Sequence, residues 1–415
     1  MKRLPTWVTP QNATFFICLV LATALPWSKA LLSIGTGVIS AIALWQLIID
    51  KFRISFRQLV PAIVVCSLFL LQVISFFYTE NMGKWGSDVR IKANMVGLAF
   101  AIAILPKMKP WQYRTVLLSF IAMVTLIAST SLVYYFIDFA EQTEWVRKNS
   151  SIDIIGSIHH IYFGLMLAFA VIAGFLLWRK KNEVLFPYER PLLLGITLLN
   201  LVFLHILTSR TGLVAFYAAV GGGVFFYILS ERQFLKATGL VVVLTALPIV
   251  AYHTIPSFYY RVNVTHWDAH QYQNTNNSLN ELSLSLRILA WQGAWDIFTK
   301  HPVIGVGISD VEDEMRVYYA GKEMRASADQ LLENPHSQYL EYLAGFGIVG
   351  ICVLLCVLVF PLIDLGKNTT LLLFSFICLI FSGMVAESFL ERQIGISFFV
   401  IFLMLLWKHE NRSLS

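Results

Sequence analysis

Three basic side chains stand where apolar stretches meet polar ones. Arg210 lies in "LTSRTG", Arg287 in "SLSLRILAW", and His336 at the head of "NPHSQYLEYLAGFGIVG". A guanidinium is always charged and offers a planar fork of donors that suits anionic oxygens. An imidazole can take up or release a proton near neutral pH. Two such forks and one such base could hold an anionic group and activate a hydroxyl beside it. Each residue also has a plainer reading. Arg210 could be a snorkelling interfacial residue, Arg287 a solvated residue on a polar helix face, and His336 a neighbour of a helix cap. Their combination is more informative than any one of them. All three meet one aqueous face in the topology derived below, and no carboxylate neighbours Arg210 in the sequence. An arginine buried against a bundle near lipid is costly unless something anionic or carbonyl-rich meets it.

The elements that must position these residues follow from composition. Of 415 residues, 57% are apolar and only 13% charged; a soluble domain carries about a quarter charged. The apolar residues come in long runs, which identifies a polytopic membrane protein. The net charge of +6 is parcelled out between those runs and not interleaved with aromatics. It therefore speaks of topology and not of nucleic acid. Cys18, Cys66, Cys352, Cys356 and Cys378 all fall inside apolar runs, with no metal-like Cys/His spacing. The basic, then apolar start lacks a small-x-small cleavage site and reads as the first span.

Twelve apolar runs follow one another, near 13–27, 31–49, 59–78, 93–106, 115–137, 160–178, 191–208, 211–229, 235–252, 341–361, 370–387 and 393–407. The expected fold is all-α, a helical bundle of about twelve transmembrane helices. The fourth run is short and expected to borrow length from its flanks. The seventh and eighth, separated by "TSRTG", predict a tight helical hairpin. With the N-terminus inside, the inside segments carry 17 Lys and Arg and the short outside loops 8, the bias expected of a cytoplasmic side. Three regions result: spans 1–9 over residues 1–252, an outside loop domain over 253–340, and spans 10–12 over 341–415. Within the loop, Leu284, Ile288, Trp291, Trp295 and Phe298 recur at helical spacing. That stripe predicts a helix lying along the membrane surface or capping the bundle, ended by His301-Pro302 and the glycines of "GVG". A second helix is expected in "DVEDEMRVYYAGKEMR".

The sequence resembles the bacterial O-antigen ligase and polymerase superfamily, which includes related protein-glycosylating oligosaccharyltransferases. The resemblance rests on "LTSRTGLVAFY" (207–217), "SLRILAWQGAWDIFTKHPVIGVGISD" (285–310) and "NPHSQYLEYLAGFGIVG" (334–350), supported by "YTENMGKWGSDVRIK" (78–92). The specific part lies in the C-terminal half; the first five spans match only as hydropathy. In the ligases the glycan travels on undecaprenyl pyrophosphate to a sugar hydroxyl of the lipid A-core, on the periplasmic face of the inner membrane. The resemblance places the family's motif arginines and histidine on Arg210, Arg287 and His336. It implies a direct, inverting displacement with no covalent enzyme intermediate, no cofactor and no metal. Physical chemistry fits that assignment. Breaking a glycosyl–pyrophosphate bond leaves negative charge on the departing phosphate, which arginines can stabilise. A sugar hydroxyl is a poor nucleophile and gains from a base. Arg210 and Arg287 are thus expected on the pyrophosphate and His336 at the acceptor hydroxyl. Arg90 and Lys92, in the loop before the fourth span, are expected as further phosphate contacts.

Other readings remain open on sequence alone. A metal-dependent transferase would need an acidic residue in an early outside loop, and "PWSK" has none. The cluster Asp310, Glu312, Asp313 and Glu314 could hold a cation, but reads better as a solvated helix N-terminus. A transporter of lipid-linked glycan would suit twelve spans, yet no repeated halves are evident. Within the superfamily, a polymerase or a protein O-oligosaccharyltransferase would share the donor and differ in the acceptor. The 88-residue loop favours the ligase by offering a roof over one lipid-embedded acceptor. His159 and His160 read as interfacial residues. Glu387, Glu391 and Arg392 are expected to pair with one another or to shape the cavity.

Overall fold

A computed structural model describes residues 9–49, 54–148, 152, 154, 158–180, 184–231, 234–274, 282–322, 326–327 and 330–410. Among these the chain forms sixteen α-helices and no strand. They are α1 (Pro10–Ala24), α2 (Lys29–Ile49), α3 (Phe56–Ile74), α4 (Met82–Ile104), α5 (Pro110–Ile137), α6 (Phe139–Arg147), α7 (His160–Arg179) and α8 (Glu189–Leu207). There follow α9 (Arg210–Glu231), α10 (Phe234–Thr254), α11 (Pro256–Asn274), α12 (Ser283–Lys300), α13 (Val311–Ala320), α14 (Gln338–Leu365), α15 (Leu371–Gly383) and α16 (Gln393–Glu410). The all-helical membrane architecture stands. Seven helices are long and apolar enough to cross a bilayer, namely α2, α3, α5, α7, α8, α9 and α14, or eight if α10 and α11 count as one broken span. The remaining expected runs fall on the shorter apolar helices α1, α15 and α16 and on α4.

The core is made by α7, whose residues from Ile161 to Gly174 are all buried. It packs against α5, α8, α9 and α15. A second group joins α2, α3, α4 and α16. Aromatic rings fill the middle: Phe120, Phe169, Phe376, Phe398 and Phe402 contact one another edge to face or tilted. At one end of the bundle Arg114 of α5 pairs with buried Glu189 of α8. At that same end Lys408 of α16 donates to the last carbonyls of α4, those of Ile102 and Ala103. These groups belong to segments assigned to the inside. The ends of the helices therefore assort as the alternating topology requires.

The fourth run borrows length from its N-terminal flank as expected, and the residues before it are helix and not loop. Asn81 caps α4 at Met82, accepting from the Lys84 amide, and no proline interrupts the chain before Ile104. The helix therefore begins eleven residues before the apolar run. The seventh and eighth runs do not form a tight hairpin. The chain reverses at Thr208, whose φ is +53°, and α8 and α9 pack on α7 more than on each other. In α12 the aromatic stripe is present beside the packed face: Leu284, Ile288, Trp291 and Phe298 are half-buried and only Trp295 is exposed, as a helix at the membrane surface allows. Ala290, Gly293, Ala294 and Ile297 are buried against α13 and α14. Small residues let backbones approach, so that face wins the contact. The second expected helix is α13, and the other α-helices within 256–322 are α11 and α12.

The glycines after α12 do more than end it. Residues 302–307 run alongside α14 and bond to it. Val306 N–H donates to Ala344 O (3.0 Å), Gly307 N–H to Gly345 O (2.9 Å) and Ile348 N–H to Pro302 O (2.9 Å). This requires a break in α14 at Gly347, with φ of +64°. A Cβ on Gly305 would lie 2.3 Å from the Gly345 carbonyl carbon. Only glycine fits such a crossing. The crossing fixes α12, and Arg287 with it, relative to the start of α14.

Candidate active site

The site lies at the end of the bundle opposite Arg114 and Lys408. Each side chain is mounted near a helix end. His159 caps α7, Arg210 begins α9, Arg287 sits one turn into α12, and His336 precedes α14 by two residues. Gln338, the first residue of α14, ties that helix to the α15–α16 loop. Its amide donates to Met384 O and Glu387 O, its side-chain oxygen accepts from Leu390 N–H, and its side-chain nitrogen donates to Glu391. The loop thereby brings Glu387 beneath His336.

Glu387 is the hub. Its Oε2 lies 3.4 Å from His336 Nδ1 and 4.0 Å from Arg287 Nη2. Arg287 Nη1 donates to Ala386 O at 2.7 Å. The Glu387 side chain is 6% exposed, that of Arg287 19% and that of His336 27%. Burial works against the Glu387 carboxylate. The His336 hydrogen bond and the charges of His336, Arg287 and His159 outweigh it and hold the carboxyl below its ordinary range. Burial pushes Arg287 down, partly offset by Glu387. His159 is likewise lowered by burial and by Arg392, His336 and Arg287, against Glu387. A carboxylate at Nδ1 favours the tautomer with its proton there, leaving the Nε2 lone pair to accept another.

Arg210 stands within the electrostatic reach of Arg287 and of Asp268. The sequence reading found no carboxylate beside Arg210; in space Asp268 of α11 is near. That aspartate is buried, and its oxygens accept from the Leu284 and Ser285 amides at 2.8 and 3.1 Å. It thus caps α12 from another helix and sets the turn from which Arg287 projects. A third arginine, Arg261 of α11, is buried and donates to Thr208 Oγ1 at 3.4 Å. Burial, and then the charge of Arg210, push it down to about 10.

The polymer stretch that carries most of this geometry can be compared with known families. Residues 195–355 match the O-antigen ligase family. The match covers well under half of the chain, from α8 into α14. No curated protein matches the chain. The matched region contains Arg210, Arg261, Arg287 and His336, while Glu387, in the α15–α16 loop, and His159, just before α7, lie outside it.

The structure thus brings the expected Arg210, Arg287 and His336 to one end and joins two of them through Glu387. Arg90 and Lys92 are placed otherwise. They lie on α4 and not in a loop, and residues two apart on a helix do not share a face. Arg90 is exposed. Lys92 is buried, 2.8 Å from Glu391 and 2.9 Å from Gln72 Oε1, so its ammonium is already engaged by protein. Glu387 and Glu391 accordingly serve different partners. The His159 and His160 rings are tilted against each other at 4.2 Å, near the charged groups, which is closer to the site than their interfacial reading supposed.

The acidic cluster does start a helix, with Glu312, Asp313 and Glu314 half-exposed in the first turn of α13, but it also has partners in the protein. Asp310 is buried and accepts from the Glu80 and Asn81 amides at 2.9 and 2.8 Å. Asp313 accepts from Asn81 and Arg316, and Glu312 pairs with Lys84. These carboxylates pin α13 to the turn before α4. Among the described residues no group of three or more His, Cys, Asp or Glu is arranged to hold a metal ion.

Sequence reasoning missed Arg261 and Asp268. Their signal was available: Ser257, Arg261 and Asp268, spaced by four and seven, share one face of α11, and all three are buried.

Proposed function

We propose that the protein is an O-antigen ligase. It transfers a glycan from undecaprenyl pyrophosphate to a sugar hydroxyl of lipid A-core on the periplasmic face of the inner membrane. The observation that carries this reading is the His336–Glu387–Arg287 constellation beside Arg210. Arg210 and Arg287 hold the pyrophosphate, and Arg261 lies within reach of the same anion. The acceptor hydroxyl gives its proton to His336 Nε2 as its oxygen attacks the anomeric carbon. The bond from that carbon to the phosphate oxygen breaks, and undecaprenyl pyrophosphate leaves with the electron pair, its charge met by guanidiniums. One displacement inverts the anomeric centre. The stretch 253–340, with α11, α12 and α13, acts as a roof over the acceptor. The exposed Trp295 side of α12 meets the bilayer surface.

The test is reconstitution of the purified protein with undecaprenyl-pyrophosphate-linked glycan and three acceptors in parallel. Transfer to lipid A-core supports the ligase. Extension of the carrier-linked glycan would mean a polymerase, transfer to a protein a protein O-oligosaccharyltransferase, and movement of donor without transfer a transporter. Transfer is expected to persist in excess chelator, since the leaving group is neutralised by arginine. Activity that dies in chelator and returns with magnesium or manganese would overturn the metal-free mechanism.

Sidedness has its own test. Lys180 follows α7 at the end remote from His336, and Asn276 lies outside the described residues, in the roof stretch. A cysteine replacing Asn276 should react with a membrane-impermeant reagent added from outside, and one replacing Lys180 should not. The reverse labelling would place the site in the cytoplasm.

A further inference from the structure

His336 is one of only two non-glycine residues with positive φ among the described residues, at +48°. Side chains rarely adopt this left-handed region, and where they do, the surroundings must hold them there. The holder is visible. The His336 amide donates to Asn334 Oδ1 at 2.7 Å. Pro335 between them is buried and has a fixed φ, and it restricts Asn334 as well. Asn334 is fixed in turn from the opposite side. Ser388 Oγ lies 3.2 Å from the same Asn334 Oδ1 and 3.1 Å from Glu341 Oε2, the carboxyl buried in the first turn of α14. Ser388 directly follows Glu387, the partner of the His336 ring.

We propose that Asn334 is a positioning residue for the base. Its carboxamide oxygen holds His336 in the left-handed conformation that aims the imidazole at Glu387, and Ser388, itself beside Glu341, holds the carboxamide. This rests on the reading of His336 as the base. The arrangement is a short loop closed at both ends. The His336 backbone and the Glu387 loop are gripped through one oxygen atom, so the ring and its carboxylate keep a constant separation. Without that acceptor His336 relaxes toward ordinary negative φ. Its Cβ then swings away from Glu387, and the Nε2 lone pair no longer meets the acceptor hydroxyl. The contacts named here run to His336 and to the loop that carries Glu387, so donor binding is expected to stay intact.

The experiment compares wild type, Asn334→Ala, Asn334→Asp, Ser388→Ala and His336→Ala as purified full-length proteins. Turnover and donor KM are measured with lipid-linked donor and lipid acceptor, and thermal unfolding reports folding. Asn334→Ala should lower kcat roughly ten- to a hundredfold, the scale of a misplaced catalytic group, with donor KM within about twofold of wild type. Asn334→Asp keeps an oxygen acceptor and should restore most of that loss; Ser388→Ala should show a smaller loss in kcat alone. A simple folding defect would lower the unfolding temperature and would not be rescued by aspartate. If His336→Ala abolishes transfer while Asn334→Ala stays near wild type, or if alanine and aspartate at 334 are equally impaired, the positioning role is wrong and the base survives. Should Asn334→Ala fail to fold, Ser388→Ala and Asn334→Asp decide it: full loss in the aspartate variant overturns the proposal. Near-normal transfer by His336→Ala removes the base and this proposal together.

Discussion

Replacing His336 with alanine should reduce glycan transfer by roughly two orders of magnitude or more, the usual scale for loss of a general base. Binding of the lipid-linked donor should hardly change. The two halves of this expectation come from different atoms. The ring meets Glu387 through Nδ1, so in the proposed reaction the acceptor hydroxyl meets Nε2 and the pyrophosphate is left to the arginines. The donor's charge is met by guanidiniums, and these survive the substitution. The expected signature is a fall in kcat with donor KM unchanged. Depth supports the same division. A polyprenyl tail is buried and its glycan is not, so the pyrophosphate is held at headgroup level. A membrane-anchored acceptor brings its hydroxyl to that level too. The base must be mounted at the lip of a span, and the first turns of α14, tied by Gln338 to the neighbouring loop, form that mount. Near-normal transfer by the purified variant would reduce His336 to an interfacial residue and require another base.

What could be read beforehand was decided by how local each signal was. Arg210, Arg287 and His336 each sit at a junction between polar and apolar sequence, and such junctions are visible one residue at a time. Their common end of the bundle followed from alternation of the spans. Glu387 was seen as a possible cavity residue but not as the partner of His336, because the two are 51 residues apart and meet through the contacts of Gln338 and Asn334 with the α15–α16 loop. Lys92 was misjudged for a related reason. Hydropathy began the fourth span at residue 93, so the polar residues before it looked like loop. The helix starts at Met82, and its polar stripe turns Lys92 inward to Glu391 and Gln72. The acidic residues at 310–314 looked solvated because the turn before α4 that receives them is some 230 residues away. In α12 the periodicity marked the half-buried stripe that includes exposed Trp295, while the small residues beside it make the closest contacts. Large apolar residues dominate a hydrophobic stripe, whereas alanine and glycine decide close approach.

Exchanging Arg210 for lysine should fail to preserve transfer, with a loss of roughly 10²-fold, comparable to removing one preorganised donor at a developing anion. The substitution keeps the charge, so its effect isolates geometry. Arg210 is the first residue of α9, following the turn at Thr208, whose hydroxyl also receives Arg261. A helix start fixes the direction of the side chain, and the guanidinium presents several donors in one plane to two neighbouring phosphate oxygens. An ammonium at the end of a flexible chain offers a point charge and loses the second contact. Because this group grips the donor in both ground and transition states, donor KM should rise as kcat falls, unlike the His336 variant. The shared surroundings sharpen the expectation. Arg210 lies within the field of both Arg261 and Arg287, so a lysine there, free to swing, would drift away from those like charges and from the anion together. A lysine variant within about threefold of wild type would show that Arg210 supplies charge alone, and the fork that specifies the pyrophosphate would then have to be Arg287.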